Sequence, residues 1–298
     1  MRCLLGLAVM GLLAVPAWAV PIVDGSRDAE YGSALALQTI DTGFGDNFSE
    51  LDGGYGLISG GRLYLMLTGN VEANFNKLEI FIDSKAGGQS VFDSSGNDNT
   101  NRMDGLVFDT GFTADYHISA RRGNDGGNDR FDLDFANLTA QSASGYFDIL
   151  GGNSGSGSTG TGVNASPIDV GYDNSNVAGV GGSTGSAANQ AAAAAVSTGL
   201  ELSFALADLG YIGGPINVMV GQNGGGHDYF SNQFLGGLPV STGNLGGDGN
   251  GNFTGTAAIN FINIAGDQYF TVNVPEPATI GLLGLALVGM VGCFRRRK

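Results

Sequence analysis

Apolar and polar positions alternate with a period of two along several stretches of the chain. In residues 62–68, Leu63, Leu65 and Leu67 share one face. In residues 77–83, Leu78, Ile80 and Ile82 do the same. In residues 130–135, Phe131, Leu133 and Phe135 alternate with Asp132 and Asp134. That period is the mark of half-buried strands. The Asn-rich stretch 69–76 between the first two predicts a turn, and so an antiparallel pair. Further strands are expected at 34–40, 55–59, 106–109, 115–120, 146–150, 199–205, 216–221, 258–264 and 268–274, with turn signals between them. Residues 187–196, with Ala191 to Ala195, predict a short helix, and 206–209 a tight turn. The stretch 151–185 is dominated by Gly, Ser, Thr and Asn and reads as a flexible insert. The fold class expected is all-β: a single antiparallel β-sandwich, jelly-roll-like, with glycine-rich loops.

Both ends break this pattern. Residues 4–15 are an apolar run behind Arg2, and Ala17-Trp18-Ala19 fits the small-x-small cleavage pattern, so 1–19 read as a signal peptide with a signal helix, cut after Ala19 by signal peptidase. At the other end stands Pro275-Glu276-Pro277. A stretch of 17 uncharged residues, 278–294, follows, and then Arg295, Arg296, Arg297 and Lys298. The apolar run is at the short end of what spans a bilayer, so a transmembrane helix is expected there. Its basic end would stay cytoplasmic. The expected domains are 1–19, the sandwich at 20–273, and the tail at 274–298.

The tail resembles a PEP-CTERM sorting signal: Pro275-Glu276-Pro277, a short apolar helix and a basic end. The resemblance implies export and processing by exosortase near the Pro-Glu-Pro. It implies a Gram-negative-type bacterium that makes exopolysaccharide. The protein would sit at the cell surface or in the matrix, anchored in the membrane until processed. The middle of the chain is similar, more diffusely, to β-sandwich modules related to family 9 carbohydrate-binding modules. The similarity rests on Val23-Asp24-Gly25, on the Gly-Arg-Leu-Tyr-Leu strand at 61–65, and on the segment 199–210, where Phe204-Ala205 replaces an Ile-Pro.

Charge and composition narrow the partners. The chain has 13 Lys and Arg against 28 Asp and Glu; five of the basic residues and only Glu276 of the acidic ones lie in the two ends, which leaves 8 basic and 27 acidic residues, net −19, in the middle. Nucleic acid and anionic lipid are disfavoured as partners of that region. Gly and Pro, 53 and 7 of 298 residues, fall below the share expected of disorder. The two cysteines, Cys3 and Cys293, both lie in the ends, so the middle has neither disulfide nor thiol nucleophile. The one tryptophan is Trp18, in the signal segment, which removes the commonest sugar-stacking ring.

Few residues point to chemistry. Of the two histidines, His117 lies within an expected strand and reads as structural. His227, with Asp228, Tyr229, Asn232 and Gln233, forms the candidate ligand loop. Gly181-Gly182-Ser183-Thr184-Gly185 matches a nucleophile-elbow pattern but lacks the buried strand before it that such an elbow needs. Residues 93–99 carry oxygen side chains at alternate positions, and 246–250 resemble one calcium-binding turn, so calcium is the one cofactor considered and no other is expected. These observations predict a non-enzymatic exported structural or interaction protein with no catalytic residue. Carbohydrate binding is the alternative, with exopolysaccharide as partner, and a secreted glycosidase is a more distant one.

Overall fold

A computed structural model describes residues 19–247 and 254–274 of the chain. Its folded unit runs from Val20 to Val274. The alternating segments become strands. β1 is Ala36–Leu37, β2 Glu50–Ser59, β3 Arg62–Asn70, β4 Asn74–Asp83, β5 Tyr116–Asp125, β6 Asn128–Asn137 and β7 Ser142–Leu150. β8 is Ser154–Ser158, β9 Asp169–Asp173, β10 Gly199–Ala205, β11 Ile216–Asn223, β12 Phe230–Leu235 and β13 Phe270–Val272. They form two antiparallel sheets packed face to face. One has the order β1-β2-β3-β10-β9-β8; the other has the order β12-β11-β4-β5-β6-β7, with β13 also on β11. The architecture is an antiparallel β-sandwich.

The core between the sheets is what the period of two requires. Leu63, Leu65 and Leu67 of β3 meet Leu78, Ile80 and Ile82 of β4, joined by Phe131, Leu133 and Phe135 of β6 and by Leu200, Leu202 and Phe204 of β10. β2 and β3 form a hairpin about Gly60 and Gly61, whose φ of 57° and 78° suit a two-residue turn with both central residues left-handed.

The expected pairing of 62–68 with 77–83 is overturned. β3 pairs with β2 and β10, and β4 with β5 and β11, so the two face each other from opposite sheets. Their shared apolar faces reflect a common core, and residues 71–73 carry the chain from sheet to sheet.

The insert expected at 151–185 is also corrected. It supplies β8 and β9, and Ile168, Val170 and Tyr172 alternate into the core. Its glycine and serine content belongs to β8, an edge strand of sequence Ser-Gly-Ser-Gly-Ser whose residues are almost all exposed. The strand expected at 258–264 is two 3-10 turns, Thr256–Ala258 and Phe261–Asn263, because the Asn260 side chain accepts from the Ile262 amide and turns the chain. Residues 106–109 make only isolated bridges through Val107. The expected helix is present as α1, Gln190–Ala195, capped by the Asn189 side chain on the Ala191 and Ala192 amides. At 205–211 the tight turn closes through Asp208 N to Ala205 O and Tyr211 N to Leu206 O.

A third layer decides where the candidate site lies. The outer face of the second sheet carries its own buried cluster, in which Phe81, Met219, Phe230 and Phe234 pack against Phe92, Phe108, Phe112 and Phe261 from the long connections. Beneath those connections the face is closed to water, and the polar residues under them are buried too.

Candidate functional site

Sending Leu78, Ile80 and Ile82 inward puts Lys77, Glu79 and Phe81 on the outer face of β4. Register then builds three rows across β4, β5 and β6: Lys77, Arg121 and Asp132; Glu79, Ser119 and Asp134; Phe81, His117 and Ala136. Glu79 has no exposed surface. His117 Nε2 lies 2.8 Å from its Oε2, and His227 Nδ1 lies 2.6 Å from its Oε1. Asn223 Nδ2 donates to Oε1 at 3.2 Å. The two histidines, 110 positions apart, thus meet on one carboxylate. The His117 ring also stacks on Phe81 at 4.8 Å between centroids.

Asp98 closes the network from above. Its Oδ2 lies 3.2 Å from His227 Nε2, 3.1 Å from Lys77 Nζ and 3.2 Å from Arg121 Nη1. Arg121 also pairs with Asp134, and Arg130 Nη2 meets Asp132 at 2.9 Å. Lys77, Arg121, Arg130 and a protonated His227 balance Glu79, Asp98, Asp132 and Asp134. His227 must be protonated because both ring nitrogens face carboxylate acceptors.

The electrostatics follow. Burial opposes charge on His227, but the Glu79 carboxylate and hydrogen bonds to Asp98 and Glu79 push it up to about 9. Burial likewise opposes charge on Asp98, yet the hydrogen bond from His227 and the charges of Lys77 and Arg121 hold it near 2. Glu79 is held below the usual carboxylate range by His227 and His117 against its own burial.

The loops that complete this layer are strained. Asp98, Asn99 and His227 have φ of 49°, 61° and 58°, a region costly for non-glycine residues. The ion contacts hold them there. Chemically the layer is a clamp: it fastens 97–103 and 224–229 to the sheet. His227 is 1% and His117 3% exposed, which places both imidazoles beneath the surface.

The predicted ligand loop divides. Asn232 and Gln233 lie on β12 with no exposed surface, where they splice 40–51 to the sheet. Asn232 accepts from the Gly43 amide and donates to Asp41 O, and Gln233 Oε1 accepts from the Leu51 amide. They were expected in a loop because their polarity hides a strand whose amides serve backbone partners. Of the five, Asp228 and Tyr229 line an open cleft of about 490 Å3, with Phe44, Glu72, Asn74, Asn76 and Asn244. Tyr229 stacks on Phe44 at 5.9 Å, and Asp228 pairs with Arg102 at 3.0 Å.

The polar side chains of 93–99 turn to separate partners: the Asp98 carboxylate to the cations above, while Asn97 Nδ2 donates to Asp134. Among the described residues, no group of three or more His, Cys, Asp or Glu is placed to hold a metal ion. Residues 248–250, Ala17, and the sorting residues Pro275, Glu276, Pro277, Arg295, Arg296, Arg297 and Lys298 lie outside the described residues, as do the expected signal and transmembrane helices. Among the described residues no helix is long and apolar enough to cross a membrane.

The sequence reading missed Glu79, Asp98, Lys77 and Arg121 as a group. The signal available was that polar residues at alternate positions of three apolar strands must share a face. That they are buried depends on the long connections folding over them.

A β-sandwich carrying a C-terminal sorting signal is the class these observations define. Residues 273–297 match the family model of the PEP-CTERM protein-sorting motif. The chain thus carries the PEP-CTERM sorting motif of an exported, surface-targeted substrate of exosortase. Neither the curated proteins nor the solved structures give a match to it.

Proposed function

We propose that the sandwich is a non-enzymatic structural or interaction module of the cell surface or exopolysaccharide matrix. Signal peptidase would release it at the front and exosortase would process it at the tail, so that its membrane helix holds it only until then. One observation carries the reading. The chain's two histidines and the acids around them are spent on one another in a buried clamp, an arrangement suited to rigidity rather than proton transfer to a substrate. The test is to delete the chain from its host and extract the matrix. The reading expects altered matrix cohesion or composition, restored equally by the wild type and by a cleft variant carrying Asp228→Asn and Glu72→Gln. Rescue by the wild type alone would contradict a purely structural role.

A second reading, carbohydrate binding, is supported by the cleft. It sets the Phe44–Tyr229 stack beside amides and carboxylates that can bond hydroxyl groups. Phe44 is half-buried, so Phe44→Ala should leave the fold intact. Loss of polysaccharide retention in that variant would support this reading; unchanged retention would count against it.

A further inference from the structure

The connection that leads into β2 puts two aromatic rings at the surface, four residues apart: Phe44, half-buried, and Phe48, 60% exposed. Three buried polar side chains hold that turn. The Gly43 amide donates to Asn232 Oδ1 at 2.8 Å, the Phe44 amide to Thr42 Oγ1 at 3.0 Å and the Asn47 amide to Glu50 Oε2 at 2.8 Å. Asn232 and Glu50 have no exposed surface, and Thr42 is 1% exposed. Phe48 N closes the turn by donating to Gly45 O at 3.2 Å. The turn is therefore built before any ligand arrives, which lowers the entropy cost of binding on it.

Each ring stands in its own cleft. Phe44, stacked with Tyr229, lines the cleft of about 490 Å3, and Phe48 lines a second, of about 340 Å3, with Asn47, Arg122 and Asn174. Glu72, half-buried, lines both. It accepts from Asn74 Nδ2 at 2.7 Å, and among the described residues no cation is paired with it. The arginines nearby are taken: Arg122 by Asp129 at 2.8 Å and Arg102 by Asp228 at 3.0 Å. What charge the two clefts offer a ligand is therefore that one carboxylate. Both clefts lie at the start of β2. The ends of the folded unit lie about 20–30 Å along that strand, where Val20 stands beside Gly60 and Val272 against Gly56. The clefts are thus clear of both points where the chain leaves the sandwich.

We propose that the two clefts form one groove for a glycan chain of amino sugars, with one sugar on Phe44 and Tyr229, the next on Phe48, and a ligand ammonium on Glu72 between them. The proposal rests on the carbohydrate reading rather than the purely structural one, and adds to it a second subsite and a charge. An aromatic ring offers the apolar face on which a pyranose stacks, and the amides beside it bond hydroxyl groups. Two such clefts that share a residue suit a ligand that repeats. A carboxylate with no cation of its own gains most from a charged donor, because charge-assisted hydrogen bonds are roughly twice as strong as neutral ones. Uronic-acid and sulfated polymers would be repelled by that carboxylate and by the acidic excess of the sandwich.

The experiment is isothermal titration of the exported protein at about pH 6, where amino sugars are charged, with β-linked oligomers of glucosamine, glucose and galacturonic acid. The glucosamine oligomer should bind most tightly and the galacturonic acid oligomer not at all. Glu72→Gln should weaken the glucosamine oligomer roughly five- to tenfold and leave the glucose oligomer within about twofold. Phe44→Ala and Phe48→Ala should each weaken both by roughly tenfold, with a melting temperature that shows each variant folded. A galacturonic acid oligomer that binds as tightly as glucosamine would overturn the proposal, and so would a preference for glucosamine that survives Glu72→Gln. Binding that Phe48→Ala leaves unchanged would remove the second subsite and overturn the groove. In each of these cases, loss of binding in Phe44→Ala would leave the carbohydrate reading standing. No binding by any of the three oligomers would end both.

Discussion

Glu79 shows how far a single side chain governs this fold. It is a buried carboxylate held by two imidazoles and an amide. Glu79→Gln keeps the shape and an acceptor oxygen but removes the negative charge that faces His227. Removing one partner of a buried ion pair costs about 3–5 kcal/mol, so urea denaturation should show a loss of that size. A loss below about 1 kcal/mol would mean the network is not coupled as drawn. Asp98 is the outward half of the same clamp, with a side chain 26% exposed. Asp98→Asn should cost less, because water can reach the groups it leaves behind.

Among the elements, what could be read in advance was the strands whose polar and apolar residues alternate cleanly. The strand expected at 199–205 is β10 at its full length, and those at 130–135 and 216–221 lie within β6 and β11. Partners could not be read, because period two fixes which face is buried but not which strand lies alongside; hence β3 and β4 were expected as neighbours and are found across the core. β9 was hidden by the glycine and serine around it, although Ile168, Val170 and Tyr172 are spaced as a strand requires. β12 was hidden because Ser231, Asn232 and Gln233 resemble a loop and are in fact buried. Of the candidate ligand loop, the sequence located Asp228 and Tyr229 on the cleft but gave no sign of Phe44 or Asn244, which arrive from distant turns. The reassignment of 151–185 has a direct test. Limited proteolysis of the native protein should spare 154–173, since β8 and β9 are hydrogen-bonded from Ser154–Asp173 to Ser158–Asp169. Rapid cutting there would restore the reading of a flexible insert.

For the whole molecule, the buried acids and His227 set the response to pH. Glu201 takes hydrogen bonds from Tyr31 and the Asp24 and Gly25 amides, and burial pushes it up to about 7. Glu50 and Asp52 are raised for the same reason. Between the ordinary carboxylate range, about 4, and these raised values, the folded chain binds more protons than the unfolded one. Stability therefore falls as pH climbs through that interval. His227 acts in the same sense: its contribution is complete below its unfolded value of about 6.5 and is lost as pH rises through 9. Glu79 and Asp98, both lowered, act oppositely, and their contribution is lost as pH falls from about 4 towards 2. The melting temperature should peak near pH 4, where the two windows meet, and decline steadily to pH 9. A plateau from pH 5 to 9 would contradict the assignment of buried, uncompensated acids.

The central claim is that a sandwich spanning Val20 to Val274 is carried out of the cell and sorted by the tail behind it. Intact mass spectrometry of the protein recovered from the surface or medium of its host tests this most directly. The account predicts a polypeptide that begins at Val20 and ends close to Pro275-Glu276-Pro277, and that keeps its apolar tail in a host lacking exosortase. A full-length chain from Met1 to Lys298, recovered from the cytosol of exosortase-bearing cells, would contradict it.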